Sequence, residues 1–120
     1  MHLILVTLVA LAMNPAPAQV KNPVAATAES AANGGKLYGR YCAACHGKEG
    51  RGDGLAGAKL DPKPSNLTDE EWKHGPADGE IFTVIHDGAK NTGMKAFGSR
   101  MTEHELWDLV NYIRTLKQQG

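Results

Sequence analysis

Cys42, Ala43, Ala44, Cys45 and His46 form the one stretch whose residue types and spacing can do covalent chemistry. C-x-x-C-H is the attachment spacing of a c-type haem. Two thiols three positions apart on one turn can each add to a different vinyl group along one porphyrin edge, giving two thioether bonds. His46 then lies close enough to offer a neutral imidazole nitrogen to the iron. Ala43 and Ala44 keep the turn small against a flat macrocycle. Other uses of the pair are weaker. A thioredoxin-like dithiol wants C-x-x-C beside a βαβ pattern, and the chain shows no strand-helix-strand alternation. A zinc site takes four ligands, usually two such pairs, and the chain has 2 cysteines in all. A disulfide between residues three apart closes a very small loop and stabilises little.

A haem iron has a second axial position, for which Met94, Met101, His74, His86 and His104 are the candidates. A ligand here needs backbone free to wrap over the opposite face, which favours a loop. Met94 lies in Asn91-Thr92-Gly93-Met94-Lys95-Ala96-Phe97-Gly98, between two helical patterns, where Gly93 permits a sharp turn beside the metal. A thioether favours reduced iron and raises the potential; the competing role for Met94 is core packing. Met101 has a place at a helix start, and His104 falls in the first turn of that helix. His86 sits near another helix end, where it would shield an edge or help cap that end. His74 lies beside Gly75-Pro76 in a turn. Surface or packing roles are expected for these three histidines.

Three helical segments must position these groups. Asn33 to Cys42 reads as a short helix, with Leu37, Tyr38 and Tyr41 on one side. Its glycines, Gly34, Gly35 and Gly39, are poor helix formers and imply close approach of another helix. Asp78 to Asp87 is a second, burying Ile81, Phe82 and Ile85, with Val84 beside them and Gly88 as its stop. The clearest begins at Thr102. Thr102 and Glu105 form a capping box, and Met101 and Leu106 occupy the positions of a hydrophobic staple. Leu106, Leu109, Val110, Ile113 and Leu116 give one apolar face flanked by Trp107 and Tyr112. Between these lie a loop with Gly47, Gly50, Gly52, Gly54 and Gly57, an extended run through Pro62 and Pro64, and a short capping-box signal at Thr68-Asp69-Glu70-Glu71. Gly52-Asp53-Gly54 fails the EF-hand pattern and reads as a tight turn.

With 120 residues the chain is one domain at most, and 2 Phe, 2 Trp and 3 Tyr make a thin core. A domain this small gains from a staple, and a covalently held haem would be one. A formal net charge of zero offers no basic surplus for nucleic acid. The acids at Asp69, Glu70, Glu71 and at Glu103, Glu105, Asp108 read as solvated helix N-termini. Residues 1–18 read as a secretory signal peptide: Leu3 to Ala12 is apolar apart from Thr7, and Ala16-Pro17-Ala18 has the form of a cleavage site, although only His2 precedes the run. An uncleaved anchor is the alternative. Residues 19–30 read as a flexible spacer, and 31–120 as the folded domain.

Gly34-x-x-x-Tyr38-x-x-x-Cys42-x-x-Cys45-His46, then Gly93-Met94-x-x-Phe97, then Leu109-Val110-Asn111-Tyr112-Ile113-Arg114 carry a resemblance. Over residues 31–118 the chain resembles a class I cytochrome c of the small bacterial mono-haem kind. The resemblance implies an all-α cytochrome c fold: short helices around one covalently bound haem, with the N- and C-terminal helices crossing at near right angles. Gly34 and Tyr38 should then meet the face around Leu109 and Tyr112. It implies one haem c on Cys42 and Cys45, with iron held by His46 and Met94. It also implies a proline carbonyl, Pro62 ahead of Pro64, holding the free nitrogen of His46 and raising its basicity. Many relatives have proline directly after the ligating methionine, where this chain has Lys95.

The function expected is single-electron transfer rather than catalysis, since no nucleophile-base-orienter set is present. Redox proteins of the periplasm or its membrane would dock transiently at the haem edge near Cys42 and Cys45. Membrane contact would come only through partners or a retained leader. The alternatives are a haem subunit of a larger dehydrogenase or oxidase, and a peroxidase or gas-binding haem with an open sixth site beside His86. Export to the periplasm fits the cysteines, because c-type haem is attached outside the cytoplasm in bacteria.

Overall fold

The structure, a computed structural model, describes residues 3–11, 13–69, 72 and 75–117. Among them the regular elements are helical and no strand occurs. The described residues form four α-helices: α1 (Ala28–Tyr41), α2 (Ala43–His46), α3 (Asp78–Asp87) and α4 (Glu103–Leu116). No helix among the described residues is long and apolar enough to cross a membrane.

α4 begins where its sequence signals put it. The Glu105 N–H donates to Thr102 Oγ1 at 3.1 Å, and the Thr102 N–H donates to Glu105 Oε1 at 3.0 Å. Met101 and Leu106 are both buried beside this capped turn. The buried arc is wider than the apolar stripe, taking in Trp107, Asp108 and Asn111 as well. Packing of α1 and α3 on α4 accounts for that width. Asp108 is therefore not the solvated acid its neighbours suggested: it is 3% exposed, and the Ser30 hydroxyl donates to its carboxylate at 2.5 Å.

That bond belongs to a polar seam that moves the start of the fold upstream of the expected residue 31, and the start of its first helix upstream of Asn33. α1 begins at Ala28, with Thr27 Oγ1 accepting from the Ser30 N–H at 3.1 Å. Asn111 Nδ2 donates to Ser30 Oγ at 2.9 Å and to the Val24 carbonyl at 3.2 Å. Asn22 Nδ2 in turn donates to Asn111 Oδ1 at 2.7 Å. Val20 and Val24 pack on the core. The expected spacer is thus stitched to α4 from about Val20 onward. It lacks apolar periodicity because its attachments are largely hydrogen bonds. Pro17–Gln19 form one 3-10 turn against α3, and residues 3–11 are exposed without regular structure.

α1 and α4 pack closely at Gly34. A methyl group there would overlap the Asp108 carbonyl oxygen and stand 2.8 Å from Tyr112 Cβ. This is the packing reason for glycine inside a helix. One turn on, Tyr38 lies 5.2 Å ring to ring from Tyr112, and its hydroxyl donates to the Gly47 carbonyl at 2.6 Å. The helix pair is thereby tied to the residue that follows His46. α3 buries Ile81 and Ile85 and stacks Phe82 on Trp107 at 4.2 Å. The capping-box signal at Thr68 differs: the Thr68 N–H and hydroxyl both donate to Asn66 Oδ1, at 2.9 and 2.7 Å, in a turn. Glu70, Glu71 and His74 lie outside the described residues.

Candidate haem site

The Cys-x-x-Cys-His stretch folds as one helical turn leaving the end of α1. Cys42 closes α1 through its N–H to the Tyr38 carbonyl at 2.9 Å and opens α2 by accepting from the His46 N–H at 2.9 Å. Both thiols are half-buried and unpaired. Burial, and next the neighbouring Cys45, push the Cys42 thiol up to about 12, so it is held as a neutral S–H.

His46 Nδ1 lies 3.0 Å from the Ser65 carbonyl oxygen. A carbonyl only accepts, so Nδ1 carries the proton and Nε2 keeps its lone pair. Burial holds the imidazole below its ordinary pKa, and the Ser65 bond acts in the opposite, weaker direction. The acceptor expected from resemblance was Pro62. The register of the 64–67 segment selects Ser65 instead. The Gly52 N–H donates to the His46 carbonyl at 2.7 Å, and the Leu67 N–H donates to the Gly50 carbonyl at 2.6 Å. These bonds lay the chain beside the 47–52 turn with Ser65 level with the ring. Pro62 lines the cavity instead of holding the histidine.

A cavity of about 700 Å³ opens beside this turn, within the range of about 300–1,000 Å³ typical of ligand sites. Cys42, Cys45 and His46 line it together with Met94. Leu60 comes from the extended run, Ile81, Val84 and Ile85 from α3, Phe97 from the following loop and Ile113 from α4. The Met94 loop is clamped to the end of α3. The Phe97 N–H donates to the Ile85 carbonyl at 2.9 Å and the Gly98 N–H to the His86 carbonyl at 3.0 Å. Inside the loop, the Met94 N–H donates to Thr92 Oγ1 at 3.1 Å, and that hydroxyl donates to the Ala89 carbonyl at 2.6 Å. Gly93 lies in the bend that follows Asn91 but not in the left-handed region; the left-handed residues are Gly88 (φ 77°) and Asn91 (φ 62°). What Gly93 provides is room for Leu60, whose methyl carbons would stand 2.8 Å from a Cβ there.

Met101, His86 and His104, three of the other candidate ligands, fall elsewhere. Met101 is buried under α4, and His86 and His104 are exposed and do not line the cavity. His86 stacks on Phe82 at 5.8 Å, outside the position a distal acid-base residue would need. Ser65 escaped sequence reasoning because every residue carries a carbonyl, so nothing in its type marks it.

Two unpaired thiols, a neutral imidazole with a free lone pair and a thioether thus share one largely apolar cavity, a donor set that suits haem c. Residues 29–113 match the family model of cytochrome c oxidase, cbb3-type, subunit III. The chain belongs to this family of c-type cytochrome domains. Family membership brings haem c, iron and electron transfer with it, and the all-α cytochrome c fold is the fold found.

Among its relatives, the cbb3-type cytochrome c oxidase subunit CcoP of Rubrivivax gelatinosus is 36% identical over 90 residues, covering 75% of this cytochrome domain's chain and 27% of that protein. The chain therefore spans about a quarter of the length of the cbb3-type relatives it matches. A cytochrome c6-like protein of Nostoc sp. is 27% identical over 96 residues, covering 79% of this chain and 78% of that protein. Among solved structures, a chain of the Kuenenia stuttgartiensis reducing HAO-like protein complex superposes with a TM-score of 0.73 at 29% identity, covering 81% of this chain and 49% of that one.

Proposed function

We propose that this cytochrome domain is a one-electron carrier holding a single haem through thioether bonds from Cys42 and Cys45, with His46 Nε2 and the Met94 sulfur as the axial ligands. The observation that carries this reading is that His46 and Met94 line the same cavity as the two thiols. When bound, haem supplies a ferrous–ferric couple. The chain's own residues do the rest. The Ser65 carbonyl fixes the imidazole tautomer and orientation and raises its basicity. The clamp from Ile85 and His86 holds the Met94 loop. Ile81, Ile85 and Ile113 line the cavity and would keep water from the ring. With His46 and Met94 both holding the iron, no substrate would reach it, and the domain would act as a carrier and not as an enzyme. Its place is the periplasm, reached through residues 1–18 as an export leader, and its partners are redox proteins that dock transiently.

Two measurements test this reading. Haem should stay on the chain through acid-solvent extraction, and extractable haem would defeat the thioether assignment. Met94→Ala should abolish the sulfur-to-iron charge-transfer band of the ferric protein and open the iron to carbon monoxide. Carbon monoxide binding by the unaltered protein would favour an open sixth site instead. A second reading, the same domain as a subunit of a larger oxidase or dehydrogenase complex, draws support from the relatives named as cbb3-type oxidase subunits. Co-purification of a stoichiometric partner from the native host would establish it.

A further inference from the structure

The lead-in changes character between Gln19 and Val20. Gln19 is exposed, whereas Val20 is half-buried and packs on the core. Pro17–Gln19 make their turn against the start of α3, where a Cβ at Gly79 would collide with the Pro17 and Val20 carbonyl oxygens. Two main-chain bonds close the turn. The Gln19 N–H donates to the Ala16 carbonyl at 2.8 Å, and the Val20 N–H donates to the Pro17 carbonyl at 3.2 Å. Both acceptors belong to Ala16-Pro17-Ala18, the stretch with the form of a cleavage site. Beyond the turn the chain is held to α4: Asn22 Nδ2 donates to Asn111 Oδ1 at 2.7 Å, and the Val24 carbonyl accepts from Asn111 Nδ2. The fold therefore begins one residue past the expected cut.

We propose that Gln19 becomes an N-terminal pyroglutamate, a reading that rests on residues 1–18 being a leader cut after Ala18. Hydrolysis of the Ala18–Gln19 peptide bond frees the Gln19 amine and carries away the carbonyls that had bonded its N–H and that of Val20. At pH 7 about a tenth of an ordinary α-amine is neutral. That nitrogen attacks Cδ of its own side-chain amide. The new C–N bond closes a five-membered lactam, the Cδ–Nε2 bond breaks, and the side-chain nitrogen leaves as ammonia. No oxidant, reductant or second substrate is required, and closure within one residue gains from proximity. The exposed Gln19 side chain is free to fold back on its own nitrogen, because packing starts only at Val20. The lactam is uncharged and offers no free amine to an aminopeptidase. What it guards is the seam to α4. Trimming from an open end through Asn22 would strip Asn111, 4% exposed, of the donor to its Oδ1, and a buried acceptor left unpaired destabilises the fold.

The test takes the haem-loaded protein as a bacterial host exports it from the full chain, beside Gln19→Asn, whose shorter amide would have to close a strained four-membered ring. Intact mass of the unaltered protein should equal residues 19–120 plus haem, less one ammonia. Q19N should show no loss of ammonia. Stepwise N-terminal sequencing of the unaltered protein should be blocked, and treatment with pyroglutamyl aminopeptidase should release the block and expose Val20 as the first residue. A broad-specificity aminopeptidase should trim Q19N past Asn22 about tenfold faster than the unaltered protein, since an open end frays ahead of the core. A mass equal to residues 19–120 plus haem, with Gln19 readable in the first cycle, overturns the proposal and leaves the leader reading standing. A mass that retains residues 1–18 overturns both, so the two failures are told apart. Equal trimming of a cyclised protein and of Q19N overturns the protective role.

Discussion

His46 Nδ1 and the Ser65 carbonyl oxygen lie 3.0 Å apart, so a main-chain group decides which imidazole nitrogen faces the cavity. The Ser65 side chain is not needed for this. In the reduced, diamagnetic haem protein, the His46 Nδ1–H proton should be visible by NMR and slow to exchange with solvent. Ser65→Ala should leave that resonance in place. Its absence, or rapid exchange in the unaltered protein, would place the proton on the other nitrogen.

Protonation of His46 gives the pH dependence. Burial lowers its folded pKa, so the unfolded chain takes up the proton first as pH drops below about 6.5. The stability contribution is full above that value and is lost as pH falls through the lowered folded pKa. Ligation by Nε2 would strengthen the effect with the same sign. The urea midpoint of the haem-loaded protein should be lower at pH 5.5 than at pH 7.5 in a His86→Gln/His104→Gln background. An unchanged midpoint would contradict the assignment.

Two glycines of α1 should respond oppositely to the same substitution. Gly34→Ala drives a methyl group into the Asp108 backbone and should cost about 2 kcal/mol or more by overpacking. A Cβ at Gly39 meets nothing within 4 Å, so Gly39→Ala should stabilise by about 0.5–1 kcal/mol through helix propensity. Thermal or urea unfolding measures both, and a loss at Gly39 equal to that at Gly34 would refute the contact explanation.

Removing the cap of α4 should separate stability from the site. Thr102→Ala loses the bond from the Glu105 N–H and should cost about 1 kcal/mol. The charge-transfer band of the ferric protein should be unaltered, because Thr102 does not line the cavity.

The amino-acid sequence by itself determined the parts whose causes are local. Cys42, Cys45 and His46 are legible because attachment chemistry demands those types at that spacing. α4 is legible because Thr102, Glu105, Met101 and Leu106 signal within six residues, and α3 because Pro76 and Gly88 bracket an apolar face. Tertiary structure decided whatever depended on residues distant in the chain. Ser65 reaches His46 because bonds at Gly50 and Gly52 set the register of a separate segment. Asp108 is buried because α1 arrives carrying Ser30. The lead-in from Val20 joins the fold through Asn111, by hydrogen bonds that leave no periodic apolar trace. Met94 shares a cavity with His46 because two main-chain bonds fasten its loop to the end of α3. Backbone donors and acceptors are common to every residue, so contacts made through them are written in the fold and not in the alphabet.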